Sequence, residues 1–211
     1  SIGYTGSQGS IGYTGSAGGF ANNSNANVNI LYISNNITFN DGTSQNTAYI
    51  PASFIATYYN GANVALASSN SVYIVPIGNN YTSKSSRNIT ADGNNAFIIS
   101  HTGNYVINYS IQYINSDTVS NDIYVWVRKN TVDLPDSSTV FTIASKRTGT
   151  IPGKLAAVSP IYFTANVGDT IQVMTACPTA ANQVSIATIP AFASPVIPQT
   201  PAVIMIINEI N

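Results

Sequence analysis

Charged residues are scarce in this chain of 211 residues: they make up 7% of it, and the net charge is -1. An ordinary soluble domain carries about 25%. The shortage excludes a basic surface for a nucleic-acid backbone and an acidic disordered tail. Cysteine and histidine are scarce too, with one residue of each. An internal disulfide and a zinc site of Cys and His ligands are therefore excluded as well.

Long apolar runs are also missing, because none approaches the ~18 residues that a membrane-spanning helix needs. The sequence shows no secretory signal, and it begins at Ser1 inside a repeat. We therefore expect a C-terminal piece of a longer chain or a processed product. Amides and hydroxyls, including 26 asparagines, supply most of the polar side chains. This composition is typical of a neutral surface that works outside the cell.

Residues 1–19 have glycine at every third position. The nonapeptide SIGYTGSQG is followed by SIGYTGSAG, which differs at one position only. Three polyproline-II chains can wind together only when every third residue lacks a side chain, so this period predicts a trimeric collagen-like stalk. The repeat contains no proline, and a flexible Gly/Ser linker stays open as the alternative. The glycines of the predicted stalk axis are Gly3, Gly6, Gly9, Gly12, Gly15 and Gly18.

Residues 20–51 combine an Asn-rich spacer with a short β-hairpin signal. Asp41 and Gly42 predict a tight turn between two β-type segments, because Asp and Gly accept positive φ. Residues 37–49 read ITFNDGTSQNTAY. They resemble a module common in bacteriophage tail fibres, where a DGT turn follows an aliphatic-x-Phe pair. One isolated hairpin is marginal in water, so we expect three copies to pack around a common axis as a neck.

Residues 52–211 alternate apolar and polar side chains and show no helical period. Along residues 105–113 the odd positions are Tyr or Ile, which predicts a strand with one buried face. Residues 123–127 repeat the pattern. About ten strands with short turns predict an all-β sandwich or barrel. The other predicted strands are 54–58, 72–77, 96–100, 139–145, 159–164, 171–173, 183–189 and 202–210.

Residues 202–207 read AVIMII and are apolar at every position. A strand that is apolar on both sides is buried on both sides, and in a sandwich the second side needs a neighbouring subunit. Threefold symmetry suits a collagen-like stalk, so we predict a homotrimer. The residues predicted in the trimer interface or core are Val203, Met205, Ile207, Trp126 and Tyr105.

Several motifs of residues 52–211 occur in an order that resembles the C1q/TNF-like domain, in the version carried by phage virion proteins. An aromatic strand runs into a Gly-x-Tyr turn at residues 97–105. A Trp strand ends at Lys129 and Asn130, before a Pro-x-Ser turn. A Gly-Asp-x-aliphatic turn begins at Gly168, and residues 201–207 match the closing strand. The calcium-binding and receptor-contact loops of the vertebrate members have no counterpart that can be placed here.

The resemblance implies a trimeric jelly roll of about ten strands, which a collagen-like stalk and a hairpin neck precede. It implies a non-enzymatic structural protein on a bacteriophage virion: a tail fibre, a head or tail appendage, or a capsid decoration protein. The implied partners are other virion proteins and a host-cell glycan or protein, without nucleic acid or membrane insertion. Two alternatives stay open, a secreted or spore-surface collagen-like adhesin and a fibre-borne glycan hydrolase.

Candidate catalytic residues are few. His101 is the only histidine, and it lies in a predicted turn without a nucleophile-elbow motif. The only acidic cluster comprises Asp117, Asp122, Asp133 and Asp136. Paired carboxylates could hydrolyse a glycan and clustered oxygens could bind calcium, but ordinary turn residues are the favoured interpretation. No catalytic residue, metal ligand or cofactor is therefore predicted.

Tyrosine supplies 13 side chains and dominates the aromatic residues. A rigid ring with a hydroxyl suits a contact surface for carbohydrate or protein. Packing in the core or between subunits is the alternative for each of them. The candidates for a contact surface are Tyr58, Tyr59, Tyr73 and Tyr81.

Overall fold

The computed structural model describes residues 37–38, 44–45, 52–80, 86–147, 149–179 and 183–210. The chain divides between Tyr49 and Ile50 into an N-terminal and a C-terminal unit. In the N-terminal unit, Ile37–Thr38 pairs antiparallel with Ser44–Gln45 on either side of the predicted DGT turn. That turn, the glycine repeat of residues 1–19 and Tyr81 lie outside the described residues.

The described residues contain strands and no helix, and hence no helix that could cross a membrane. The strands are, in chain order, β1 (Ile37–Thr38), β2 (Ser44–Gln45), β3 (Phe54–Tyr59), β4 (Val64–Ala65), β5 (Tyr73–Ile74), β6 (Asn79–Asn80), β7 (Ser86–Arg87), β8 (Ile89–Ala91), β9 (Phe97–Ile99), β10 (Gly103–Asn115), β11 (Asn121–Lys129), β12 (Val132–Asp133), β13 (Thr139–Ile143), β14 (Gly153–Ala165), β15 (Thr170–Ala176), β16 (Val184–Ile186), β17 (Phe192–Ala193), β18 (Val196–Ile197) and β19 (Val203–Ile210).

Two antiparallel sheets form the C-terminal unit. In sheet 1 the main strands lie in the order β3, β19, β10 and β14, and in sheet 2 in the order β9, β15, β11 and β13. The chain changes sheet at every step between these strands except from β11 to β13. This connectivity is that of a double-sheet jelly roll, so the predicted all-β jelly-roll sandwich is confirmed.

The core lies between the two sheets and follows the alternation seen in the sequence. On β10 the buried side chains include Tyr105, Tyr109 and Tyr113, and on β11 Ile123 and Val125 face them from the other sheet. The same alternation continues on the paired strands, where the registers set the inward positions side by side. One contiguous core therefore joins both sheets, as expected for a sandwich.

The predicted strands recur with different lengths. β14 runs from Gly153 to Ala165, although residues 159–164 alone were predicted, and it pairs with β10 over its whole length. Gly153, Ala156 and Ala157 have low intrinsic strand propensity, so this pairing extends the strand where the local sequence does not. In the other direction, the prediction over residues 72–77 shrinks to Tyr73–Ile74.

Candidate functional site

The outer face of sheet 1 is apolar or amide-bearing and carries no charge over its central part. The registers of β14, β10, β19 and β3 align outward side chains in three rows across the sheet. The rows are Tyr162, Val106, Asn208 and Phe54; Pro160, Asn108, Ile206 and Ala56; and Val158, Ser110, Ile204 and Tyr58.

Large apolar side chains on this face are open to solvent in one chain. Tyr162 is 70% exposed, Val158 60% and Ile206 36%. Contiguous exposed apolar surface of this kind marks an interaction site in a soluble protein. Among the described residues, β14 also lacks a partner strand on the side away from β10, so one edge of the sheet borders the face.

Four of the five predicted interface or core residues are buried inside the single chain. Val203, Met205 and Ile207 of β19 and Tyr105 of β10 lie in the core between the sheets. The second apolar side of β19 consists of Ile204 and Ile206 on the outer face, which are the residues left for a neighbouring subunit. The inner side of β19 is thus buried within one chain, and the predicted burial of its outer side depends on a neighbouring subunit.

Trp126, the fifth residue of that set, does not lie in the core. It alternates with the buried Val125 and Val127, so it stands half-buried on the outer face of sheet 2. There it lines a groove of about 390 Å³. The other residues of this aromatic groove are Tyr124, Asp133, Leu134, Ser138, Ala176 and Pro178.

A tight hairpin and a turn build one wall of the aromatic groove. β11 and β12 join through Asn130 and Thr131, which both have positive φ, and this places Asp133 opposite Arg128. The following Pro-x-Ser turn folds back on β11, where the Ser137 hydroxyl accepts a hydrogen bond from the Val127 N–H at 3.1 Å. The motif that resembled the phage proteins therefore holds Leu134 and Ser138 beside the Trp126 strand.

Asp133 is a half-exposed carboxylate at the edge of the aromatic groove. Arg128 Nε donates a hydrogen bond to its Oδ1 at 2.7 Å. This hydrogen bond holds the pKa of Asp133 below its ordinary value despite partial burial, and the nearby Trp126 indole N–H adds to the effect. The indole nitrogen is buried and makes no hydrogen bond of ordinary geometry with the described residues. Asp133 is therefore an ionised hydrogen-bond acceptor at neutral pH.

The acidic cluster predicted from the sequence separates into two groups in space. Asp117 is held with Asn121 at the start of β11, and Asp133 lies opposite Arg128 at its end. Asp122 precedes Arg128 by six residues along the strand, which separates it from Asp133 by roughly 20 Å. The two carboxylates of a glycosidase lie about 5–10 Å apart, so Asp122 and Asp133 are too distant to form such a pair.

Among the described residues, no His, Cys, Asp and Glu side chains form a group that could hold a metal ion. The carboxyl groups with shifted pKa values are all shifted downward: Asp117 by the Thr118 N–H, Asp133 by Arg128, Asp169 by the Asn166 N–H, and Glu209 by hydrogen bonds that outweigh its burial.

The three candidate tyrosines that the structure describes do not share one surface. Tyr59 and Tyr73 pack against the core, and their hydroxyls bond to the Ala62 carbonyl and the Ser68 N–H respectively. Tyr58 is half-buried on the outer face of sheet 1. The tyrosines that do line exposed sites, Tyr124 and Tyr162, could have been found by following the period of two along β11 and β14.

His101 lies in the turn between β9 and β10, as the sequence indicated, and its partner is distant in sequence. Its Nδ1 lies 2.8 Å from Oε1 of Glu209, whose side chain is only 6% exposed. The Ser53 N–H donates to Glu209 Oε2 at 2.7 Å. This group ties the end of β19 to the segments before β3 and β10, and no pattern in the sequence connects its members.

No protein-family model and no curated protein matches the chain. Among solved structures, it is similar to that of Eiger TNF from S. frugiperda, with 16% identity. The match covers 75% of this chain and 94% of that chain, with a TM-score of 0.46. The assignment of the jelly roll rests on the strand order described above.

Proposed function

We propose that the C-terminal unit is a homotrimeric, non-enzymatic attachment domain of a virion fibre or appendage. The observation that carries the proposal is the outer face of sheet 1, with its three charge-free rows of side chains. A face of this kind is stable in water when another subunit covers it. A trimer formed through this face would be the knob of the proposed fibre or appendage.

Burial of the outer face supplies the energy for association. Removing apolar surface from water contributes about 25 cal/mol per Å², and a stable interface covers about 800 Å² on each partner. Tyr162, Val158 and Ile206 begin largely in solvent and gain the most. Because no charge stands in the rows, association requires no buried ion to find a partner.

Threefold closure follows from the sequence rather than from the sheet. A collagen-like repeat at residues 1–19 requires three chains, and a cyclic trimer gives each subunit one surface toward each neighbour. The outer face of sheet 1 and the free edge at β14 are two such surfaces on one chain.

Attachment is the role that suits a trimeric knob on a fibre. We propose that this knob lies on a virion. Two resemblances support that location: that of residues 52–211 to phage-type C1q/TNF-like domains, and that of residues 37–49 to a tail-fibre module. Three knobs at fixed spacing convert weak contacts with a host surface into strong attachment through avidity.

The trimer is tested by placing a charge on each sheet in turn. Val158→Asp on sheet 1 should convert the trimer to a monomer, because the carboxylate would be buried without a partner. Val140→Asp is the matched control, since Val140 is also an exposed valine, on β13 of sheet 2. Light scattering coupled to size-exclusion chromatography reads both masses. Equal oligomeric states of the two variants would contradict the proposed interface.

The location on a virion needs a separate measurement. Mass spectrometry of purified phage particles should find the chain as a structural component. Detection only on the surface of bacterial cells or spores would instead support the adhesin alternative. Release of reducing sugar from host envelope glycan by the purified chain would support the hydrolase alternative.

A further inference from the structure

The aromatic groove on sheet 2 lies on the face of the sandwich opposite to the proposed trimer interface. Its residues all come from one chain: Tyr124 and Trp126 on β11, Asp133 and Leu134 after the hairpin, Ser138, and Ala176 and Pro178 at the end of β15. We propose that this groove binds a neutral saccharide. The inference deepens the proposed attachment function, on which it rests for its biological role.

The floor of the groove is an aromatic pair. Tyr124 and Trp126 are alternate residues on β11, so both rings stand on the same outer face about 7 Å apart along the strand. In direct register beside them on β15 lie Ala176, which also lines the groove, and Met174, which is buried. Flat apolar rings suit the C–H face of a pyranose, and the spacing suits adjacent sugar units.

The rim of the groove supplies hydrogen-bonding groups. Asp133 is 51% exposed at its side chain, and the hydrogen bond from Arg128 lowers its pKa further below neutral. The Ser138 hydroxyl lies on the same rim and is exposed. A carboxylate and a hydroxyl beside aromatic rings are the groups that sugar hydroxyls need as acceptors and donors, and they fix orientation in a mostly apolar site.

The charges around the groove select against other ligand classes. Arg128 is paired with Asp133, so the groove carries no free cation for a phosphate or a carboxylated sugar. An anionic sugar would meet Asp133 as a like charge. A fully apolar peptide would remove water from the ion pair of Arg128 and Asp133 and offer it no hydrogen bond, which is unfavourable. A neutral ligand with one apolar face and hydroxyl edges matches all three features.

Trp126 is the only tryptophan of the chain, so its fluorescence reports on this groove alone. We would titrate the full chain with chitotetraose and maltotetraose as neutral probes and with an oligosialic acid as the anionic probe. At least one neutral probe should give a saturable change with a dissociation constant in the millimolar range or below, while the anionic probe gives none.

Two variants locate the binding. Tyr124→Ala removes one ring, and Asp133→Asn removes the charge at the rim, and each should weaken binding by about tenfold. The matched control is Asp122→Asn, which alters a half-buried aspartate on the same face of β11 outside the groove, where it accepts a hydrogen bond from Thr142. Tyr124→Phe keeps the ring and should retain most of the affinity.

Several results would overturn the inference. One is a titration that does not saturate with any neutral probe. Another is an equal affinity of the Asp133→Asn and Asp122→Asn variants for the sugar. The third is a response to a proline-rich peptide but not to the sugars. The trimer is measured on the same samples by light scattering. The groove lies within one chain, so the two proposals can fail separately. A monomer that binds sugar would contradict only the proposed trimer. A trimer that does not bind sugar would contradict only the proposed saccharide site.

Discussion

At the scale of single residues, the pair of Glu209 and His101 secures the last strand of the jelly roll. Burial alone would raise the pKa of Glu209, but hydrogen bonds from Ser53 and His101 outweigh it and hold the pKa below its ordinary value of 4.5. A group with a lowered pKa in the folded state stabilises the fold above its unfolded pKa. That contribution is lost as the pH falls through the folded-state value.

Glu209→Gln should therefore lower the free energy of unfolding by about 1–3 kcal/mol at pH 7, because the charge-assisted bonds to His101 and Ser53 are lost. The difference from the wild type should shrink as the pH falls from about 5 towards 2. Urea unfolding across this range measures it. Asp136→Asn, at an exposed turn, is the control and should change little. A difference that stays constant with pH would argue against the stabilising role of the ionised Glu209.

The buried tyrosines of β10 differ in how well their hydroxyls are satisfied. Tyr113 donates to the Thr175 hydroxyl at 2.9 Å, and both residues are fully buried. The Tyr109 hydroxyl makes no hydrogen bond of ordinary geometry with the described residues, although Thr139 and Ser159 lie close enough to offset part of the rise in its pKa that burial causes.

Tyr113→Phe should cost about 1–2 kcal/mol of stability, since it leaves the Thr175 hydroxyl buried without its donor. Tyr109→Phe should change stability by less than about 0.5 kcal/mol or increase it slightly. Chemical denaturation of the two variants gives the comparison. If Tyr109→Phe proves the more damaging change, the hydrogen bonds assigned along β10 are wrong.

At the scale of elements, the hairpin between β11 and β12 combines a good and a poor turn residue. Its two central residues have φ of 48° and 71°, and the register makes it a two-residue turn of the type that prefers Asn followed by Gly. Asn130 fits, and its side chain also donates to Asp169 Oδ1 at 2.6 Å. Thr131 is β-branched, so the same conformation strains it.

Thr131→Gly should raise the free energy of unfolding by about 1 kcal/mol by removing this strain. The thermal midpoint should rise by about 2–4 °C for a domain of this size. Asn130→Gly is the matched control: it suits the turn equally well but loses the bonds to Asp169 and Thr170, so it should not stabilise. A drop in midpoint for Thr131→Gly would show that the threonine is not strained.

The elements also show what the sequence could and could not predict. Alternation located β10 and β11 because each has one face in a large core, and a period of two is directly visible there. Alternation predicted only residues 159–164 of β14. Gly153 and its small neighbours join this strand because they pair with β10. The contact of His101 with Glu209 and the aromatic groove join distant segments, and no local pattern encodes such contacts.

At the scale of the whole molecule, the few charges are unevenly placed on the jelly roll. The outer face of sheet 2 carries Asp122, Arg128 and Asp133, whereas the three rows on sheet 1 carry none and are flanked by Arg87, which lies over the Phe54 ring. One face of the sandwich is thus suited to water and ligands and the other to a second protein surface. This asymmetry gives the low charge content of the sequence a structural meaning.

The mass of the full chain in solution, compared with that of its Val158→Asp variant, tests the central claim, association through sheet 1, most directly. Light scattering during size-exclusion chromatography at micromolar concentration should give three times the chain mass of 22.2 kDa. The mass should persist in high salt, because an interface without charges is not weakened by screening. A monomer under these conditions, or a trimer that dissociates as salt is raised, would contradict the account.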